Sequence, residues 1–186
     1  MTRTLHIGLW GGPGSGKSTG AAWLFSNLKM LGVNAELVTE FAKDIVWENT
    51  KLYKDEPDMQ FLVSAEQFRR LTRTNGQVDV VVTDSPLPLG CFYTHGGVLD
   101  CTEFKELLWR LHSKFDNMSF FVERSKQYQP IGRYQTEPEA DALCKLIKEE
   151  LDNRGVRYSP ITSSQEGYDE ALGQVLAELS KRGVLK

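Results

Sequence analysis

Short apolar runs alternate with segments of helical period along most of the chain. Residues 5–10 form a strand-length apolar run that ends in a cluster of glycines. Residues 17–31 then place Ala21, Leu24, Phe25, Leu28 and Leu31 on one helical face, with Gly32 as a natural stop. Residues 35–39 read as a second strand. Residues 58–72 read as a helix with Phe61, Ala65 and Phe68 on its inner side. The run Val80-Val81-Val82 within 79–84 suits a strand buried on both faces.

The pattern then repeats. Residues 103–115 carry Phe104, Leu107, Leu108, Leu111 and Phe115 at helical spacing, and residues 119–123 make a fourth strand. Residues 124–135 are too rich in charge, Gln, Pro and Gly for a core element. Thr136 and Glu139 form a capping box that opens a helix burying Ala140, Leu143, Cys144, Ile147 and Leu151. Residues 156–161 give a fifth strand and 166–182 a closing helix. This alternation predicts an α/β fold with a parallel sheet. No repeat or linker divides the chain, so residues 1–186 are expected to form one domain.

Composition adds little to this and excludes something. The chain has 186 residues, of which 40% are hydrophobic and 25% charged, and a net charge of -3. That balance provides no global attraction to nucleic acid or to an anionic membrane. The apolar stretches are strand-sized and the start of the chain has no apolar signal segment, so a cytoplasmic protein with no membrane partner is expected. Cys91, Cys101 and Cys144 have no metal-type spacing and are read as reduced, inert thiols. His6, His95 and His112 form no ligand pattern.

Candidate chemistry begins at Gly11-Gly12-Pro13-Gly14-Ser15-Gly16-Lys17-Ser18, which matches the P-loop pattern between a strand and a helix. Glycines let backbone N–H groups wrap closely round phosphates, and the helix N-terminus adds a field that favours anions. Gly12, Pro13, Gly14, Ser15, Gly16, Lys17, Ser18 and Thr19 are therefore expected to hold ATP. Lys17 reaches the β- and γ-phosphates, Ser18 offers its hydroxyl to Mg2+, and Thr19 faces an α-phosphate. Asp84, at the end of the third strand, is the expected second metal-side residue. Its competing role is to cap the Asp84-Ser85-Pro86 turn.

The class of P-loop protein follows from what accompanies the loop. The chain has neither the Asn-Lys-x-Asp motif of GTPases nor the Leu-Ser-Gly-Gly-Gln signature of transporter-type ATPases, and its length leaves little room for the second, helical subdomain of a ring-forming ATPase. A small kinase with a basic lid over 124–136 remains. Arg124, Lys126 and Arg133 supply the lid's cations, and positioned cations stabilise the charge of phosphoryl transfer. For Lys126 the solvated-loop reading is preferred.

On the acceptor side, Glu40 follows the second strand at the ligand edge of an open α/β sheet, where it could take a proton from an acceptor hydroxyl. Alternatively it starts the next helix, where acidic residues are favoured. Lys43 and Asp44 could line the same pocket. Glu66, Gln67, Arg69 and Arg70 form a polar cluster in which Gln67 could read an amide-like ring edge and the arginines could grip a phosphate. A solvated helix face explains any one of them equally well.

Taken in order, the glycine loop, Val38-Thr39-Glu40-Phe41-Ala42, Gln67 and Val82-Thr83-Asp84 resemble the NadR-type, ribosylnicotinamide-kinase-like P-loop kinases. That group is similar to deoxynucleoside and nucleoside-monophosphate kinases. Residues 124–151, with Gly132-Arg133-Tyr134-Gln135-Thr136-Glu137 at their centre, look like the lid and following helix of bacteriophage members. The resemblance implies a three-layer fold with a five-stranded parallel sheet of order 2-3-1-4-5. It also implies an acceptor pocket between Glu40 and the Gln67 helix, and adenine near Thr162-Ser163-Ser164. The host cytoplasm is the implied location if the chain is viral. Ser85-Pro86 stands where many nucleoside-type kinases carry an Arg after the acidic residue.

The sequence-based expectation is thus transfer of the γ-phosphate of ATP to a nucleoside- or nucleotide-type acceptor. DNA bearing a hydroxymethylated pyrimidine is an alternative substrate, and a nucleotide-dependent switch or assembly ATPase a further reading. Oligomeric state is left open, a dimer included.

Overall fold

The computed structural model describes residues 3–48, 56–131 and 135–185. Five parallel strands form one sheet in the order β2-β3-β1-β4-β5: β1 Leu5–Trp10, β2 Ala35–Val38, β3 Val80–Thr83, β4 Asp116–Glu123 and β5 Tyr158–Thr162. The helices among the described residues are α1 Lys17–Met30, α2 Phe41–Glu48, α3 Gln60–Thr72, α4 Thr102–His112, α5 Glu137–Asn153 and α6 Gln165–Lys181. A 3-10 turn at Leu87–Tyr93 lies between β3 and α4.

Both faces of the sheet are apolar, as a parallel sheet between helices requires. Leu5, Ile7, Leu9, Val80, Val82, Phe120 and Val122 pack with Leu24 and Leu28 of α1 and Val175 and Leu179 of α6. On the other face, Trp10, Val81 and Phe121 meet Leu71 of α3, Leu108 and Trp109 of α4, and Ile147 and Leu151 of α5. Period-two alternation along each strand thus divides one chain into two cores.

The register aligns the strands' C-terminal ends. Val38 pairs with Thr83, Trp10 with Phe121 and Glu123 with Thr162, so the loops that follow emerge at one edge. The glycine loop, Glu40, Asp84, Arg124 and Ser163 all stand there, at the edge where open α/β sheets bind ligands.

The structure differs from the sequence reading in several places. Directly after Glu40 the chain forms α2, the helix that the alternative reading of Glu40 called for, although the apolar pattern set out no element there. On α3 the buried positions are Gln60, Val63, Ser64, Gln67 and Leu71, whereas Phe61 is 60% exposed. The helix is turned by roughly one position because its inward stripe faces a cleft as well as the core, and a cleft accepts polar side chains. Leu107 is likewise exposed while Trp109 and His112 are buried. Strand β4 begins at Asp116, since pairing runs along the whole of β1 and Arg182 holds Asp116 at 2.8 Å. No helix among the described residues is long and apolar enough to cross a membrane.

Candidate active site

The glycine loop is built by backbone geometry. Gly11, Gly14 and Gly16 have φ of 136°, 74° and 101°, the left-handed region that side chains rarely enter. A Cβ at Gly16 would also stand 2.6 Å from the Tyr168 hydroxyl and 2.7 Å from Ser163 Cβ. The loop after β5 and the start of α6 therefore press directly on the loop. Ser163 is buried and accepts the Ser125 N–H at 2.8 Å, tying together the ends of β4 and β5 behind it.

Lys17 folds over the loop and donates its ammonium to the carbonyls of Gly11 and Gly12 at 2.8 and 2.9 Å. Ser18 donates its hydroxyl to Asp84 Oδ2 at 2.5 Å. The other carboxylate oxygen, Oδ1, accepts the backbone N–H of Glu40 at 3.0 Å. The turn-capping alternative for Asp84 does not describe this arrangement, because Thr83 Oγ1 accepts the Ser85 N–H instead. Asp84 joins the phosphate loop to the start of α2.

A cleft of about 740 Å³ opens beside this group. On one side it is lined by Pro13, Gly14, Gly16, Lys17, Ser18 and Thr19. On the other it reaches Glu40, Lys43 and Gln67 and continues along Gln60, Val63, Ser64, Leu89, Phe92 and Tyr93. Gly12, Ser15 and Asp84 lie beneath this lining, all buried. The hydroxyl of Ser15 is buried without a hydrogen-bond partner.

The other expected site residues are placed as follows. Gln67 is buried and engaged at both ends of its amide: Oε1 accepts the Phe41 N–H at 3.1 Å and Nε2 donates to the Ser85 carbonyl at 3.2 Å. Arg70 lies off the cleft wall, donating to Asp44 at 2.8 Å and Glu66 at 3.0 Å over the ring of Phe41. Arg69 also donates to Glu66, and hydrogen bonds from Arg69 and Arg70 hold that carboxyl down at about 2. Arg124 is held by Asp141 and Glu137 of α5 and stacks on Tyr128, with its Nη1 buried and without a hydrogen-bond partner. Arg133, the other expected lid cation, lies outside the described residues, as does the centre of the expected lid at 132–134. Glu139 completes the capping box with Thr136.

Sequence reasoning missed Gln60, Ser64 and Tyr168. The first two carried a signal: Gln60, Ser64 and Gln67 recur at helical spacing, a polar stripe on a buried face. Tyr168 carried none, since an aromatic on an amphipathic helix reads as core.

A family model described as an AAA domain matches residues 6–167. The chain belongs to that family. The matched span runs from the second residue of β1 to the first turn of α6, so this AAA domain contains the sheet apart from Leu5 and every element at its ligand edge. No curated protein matches the chain. The AAA domain is a nucleotide-binding P-loop domain, and its loop fits a phosphate chain: left-handed glycines, an N-terminal helix end and a lysine converge there. Magnesium fits the Ser18–Asp84 pair, which offers the oxygen ligands that ion prefers. Among the described residues no group of three or more His, Cys, Asp and Glu forms an alternative metal cage.

Proposed function

We propose that this protein is an ATP-dependent kinase that transfers the γ-phosphate to a hydroxyl of a small nucleoside-type acceptor. The observation that carries the reading is the continuity of the cleft. One wall is the phosphate loop, the next is Glu40, and beyond Glu40 stands a further compartment that hydrolysis by water would not need. The resemblance to ribosylnicotinamide-kinase-like proteins supports the same assignment.

In this reading, the loop amides and Lys17 hold the β- and γ-phosphates, and Ser18 with Asp84 would hold magnesium, which neutralises charge on the phosphate oxygens. Glu40 accepts the proton of the acceptor hydroxyl as its oxygen bonds to phosphorus and the bond to the β-phosphate oxygen breaks. Arg124 would add positive charge over the transferring group only on leaving Asp141 and Glu137, which hold it in the structure. The pairing of Arg69 and Arg70 with Glu66 and Asp44 favours a free small molecule over DNA as acceptor.

The test is transfer of label from γ-labelled ATP with magnesium, offering nucleosides, monophosphates, ribosylnicotinamide and hydroxymethyluracil DNA separately. Label should appear on an acceptor and vanish with Lys17→Ala. ATP consumption that no acceptor changes would instead favour a switch or assembly ATPase, and full turnover in Glu40→Gln would remove Glu40 from the reaction.

A further inference from the structure

The end of β4 lies directly against the phosphate loop. Trp10, the residue before Gly11, pairs with Phe121, and a Cβ at Gly11 would stand 2.8 Å from the Val122 carbonyl. Arg124 follows two residues later, so its side chain starts from backbone that borders the loop. Helix α5 closes the same corner. A Cβ at Gly12 would meet the Ala140 carbonyl at 2.7 Å and Cys144 Cβ at 2.8 Å.

Glu137, Ala140, Asp141 and Cys144 recur at i, i+3, i+4 and i+7, which puts them on one face of α5. Ala140 and Cys144 press on the loop from that face, while Glu137 and Asp141 hold Arg124. Both carboxylates take Nη2 of the guanidinium, Glu137 at 3.4 Å, and the ring of Tyr128 lies 5.3 Å from its carbon. Nη1 is buried without a hydrogen-bond partner among the described residues. A guanidinium carries five donors in a fixed fork that suits two oxygens of one carboxylate or phosphate, and here that fork is only partly used.

The partners differ in how firmly they are committed. The side chain of Arg124 is 18% exposed, whereas those of Glu137 and Asp141 are 54% and 61% exposed. Carboxylates so well solvated lose little on release, since exposed ion pairs are screened and weak. A phosphate held by the loop offers the fork two oxygens at once, and such charge-assisted, two-pronged bonds are the stronger kind. Arg124 thus has two alternative sets of partners, and the structure shows it on the carboxylates.

We infer that Glu137 and Asp141 form an inhibitory latch: they compete with the nucleotide's phosphates for Arg124, and nucleotide binding has to break their hold. Release of the ion pairs offsets part of the loop's own affinity, so the protein binds nucleotide more weakly than it would without the two carboxylates. The inference rests on the nucleotide site of the reading above and is independent of the acceptor.

The experiment is equilibrium binding of a non-hydrolysable ATP analogue, and of ADP, to the full chain with magnesium. Variants are Glu137→Gln with Asp141→Asn, Arg124→Gln, and all three together, with Asp141→Asn alone carrying the test should the pair not fold. Loss of the two carboxylates should tighten the ATP analogue about three- to tenfold, the scale of two exposed ion pairs. Arg124→Gln should weaken it, and in that background the carboxylate substitutions should have no effect. Unchanged or weaker affinity in the carboxylate variants would overturn the inference. So would a gain that persists with Arg124→Gln, because it would then come from removing negative charge near a triphosphate and not from freeing the arginine. A larger gain for the ATP analogue than for ADP supports exchange at the γ-phosphate. An equal gain supports the latch but removes Arg124 from the transferring group. Gain without transfer to any acceptor would sink the kinase reading alone.

Discussion

Tyr168 donates its hydroxyl to the carbonyl of Gly16, 152 residues earlier in the chain, at 3.0 Å. Burial pushes the phenol's pKa up, so it remains a donor throughout the physiological range. The same ring lies against Gly20, where a Cβ would approach within 2.7 Å. The last helix thus braces the first turn of α1 and the end of the phosphate loop. Tyr168→Phe removes the hydroxyl and keeps the packing. It should cost about 1 kcal/mol of stability and weaken ATP binding several-fold, read by urea unfolding and by titration with a fluorescent ATP analogue. Unchanged nucleotide affinity would mean that the brace does not shape the loop.

Asp84→Asn separates charge from shape. An asparagine can still accept from the Glu40 N–H through its carbonyl, while the Ser18 hydroxyl turns to accept from its amide. Stability should therefore change by less than about 1 kcal/mol. Transfer should fall by about 100-fold or more, with the magnesium midpoint moved to higher concentration. A magnesium titration that gives the wild-type midpoint would exclude Asp84 from the metal side.

Gly12→Ala tests how closely α5 packs on the loop. The added Cβ would stand 2.7 Å from the Ala140 carbonyl and 2.8 Å from Cys144 Cβ, and a helix backbone cannot swing aside as a side-chain tip can. The expected loss is about 1–3 kcal/mol, measured by denaturant unfolding. Cys144 should also react faster with a thiol reagent, as α5 lifts from the loop.

Acid should destabilise the fold through two histidines. Burial lowers His6, stacked on Phe115, and His112, set edge-on to Trp10, from 6.5 to about 4 each. Between those values the unfolded chain binds protons that the folded chain does not. Stability is then fully present above pH 6.5 and declines as pH falls toward 4, by an amount on the order of a few kcal/mol for the pair. Urea midpoints from pH 7.5 to 4.5 give the slope, and a flat profile would contradict it.

Much of this was legible in the sequence because it is carried by local rules. The glycine loop, the buried Val80-Val81-Val82 run and the Thr136–Glu139 box each need a few neighbouring residues, and each appears where expected. The sheet order came with the family resemblance, since periodicity alone does not choose among topologies. Phe61 and Leu107 were misplaced because a hydrophobic stripe identifies a face only when that face meets core throughout. Where α3 lines a cleft, Gln60 and Ser64 are buried and Phe61 is exposed. The capture of Arg124 by Asp141 and Glu137, and the contact of Tyr168 with Gly16, depend on long-range packing that no local pattern encodes.

The two oxygens of Asp84 have a consequence for the order of events. One faces Ser18 and the other the first amide of the segment leading into α2, so the phosphate loop and the Glu40 end of the cleft share a single group. Any shift of that carboxylate on loading the first substrate is felt at the second site. Thermodynamic reciprocity then requires that each ligand change the other's affinity by the same factor. In the kinase proposed above, such coupling would tighten the acceptor end as the donor end fills, and so would disfavour water as the acceptor.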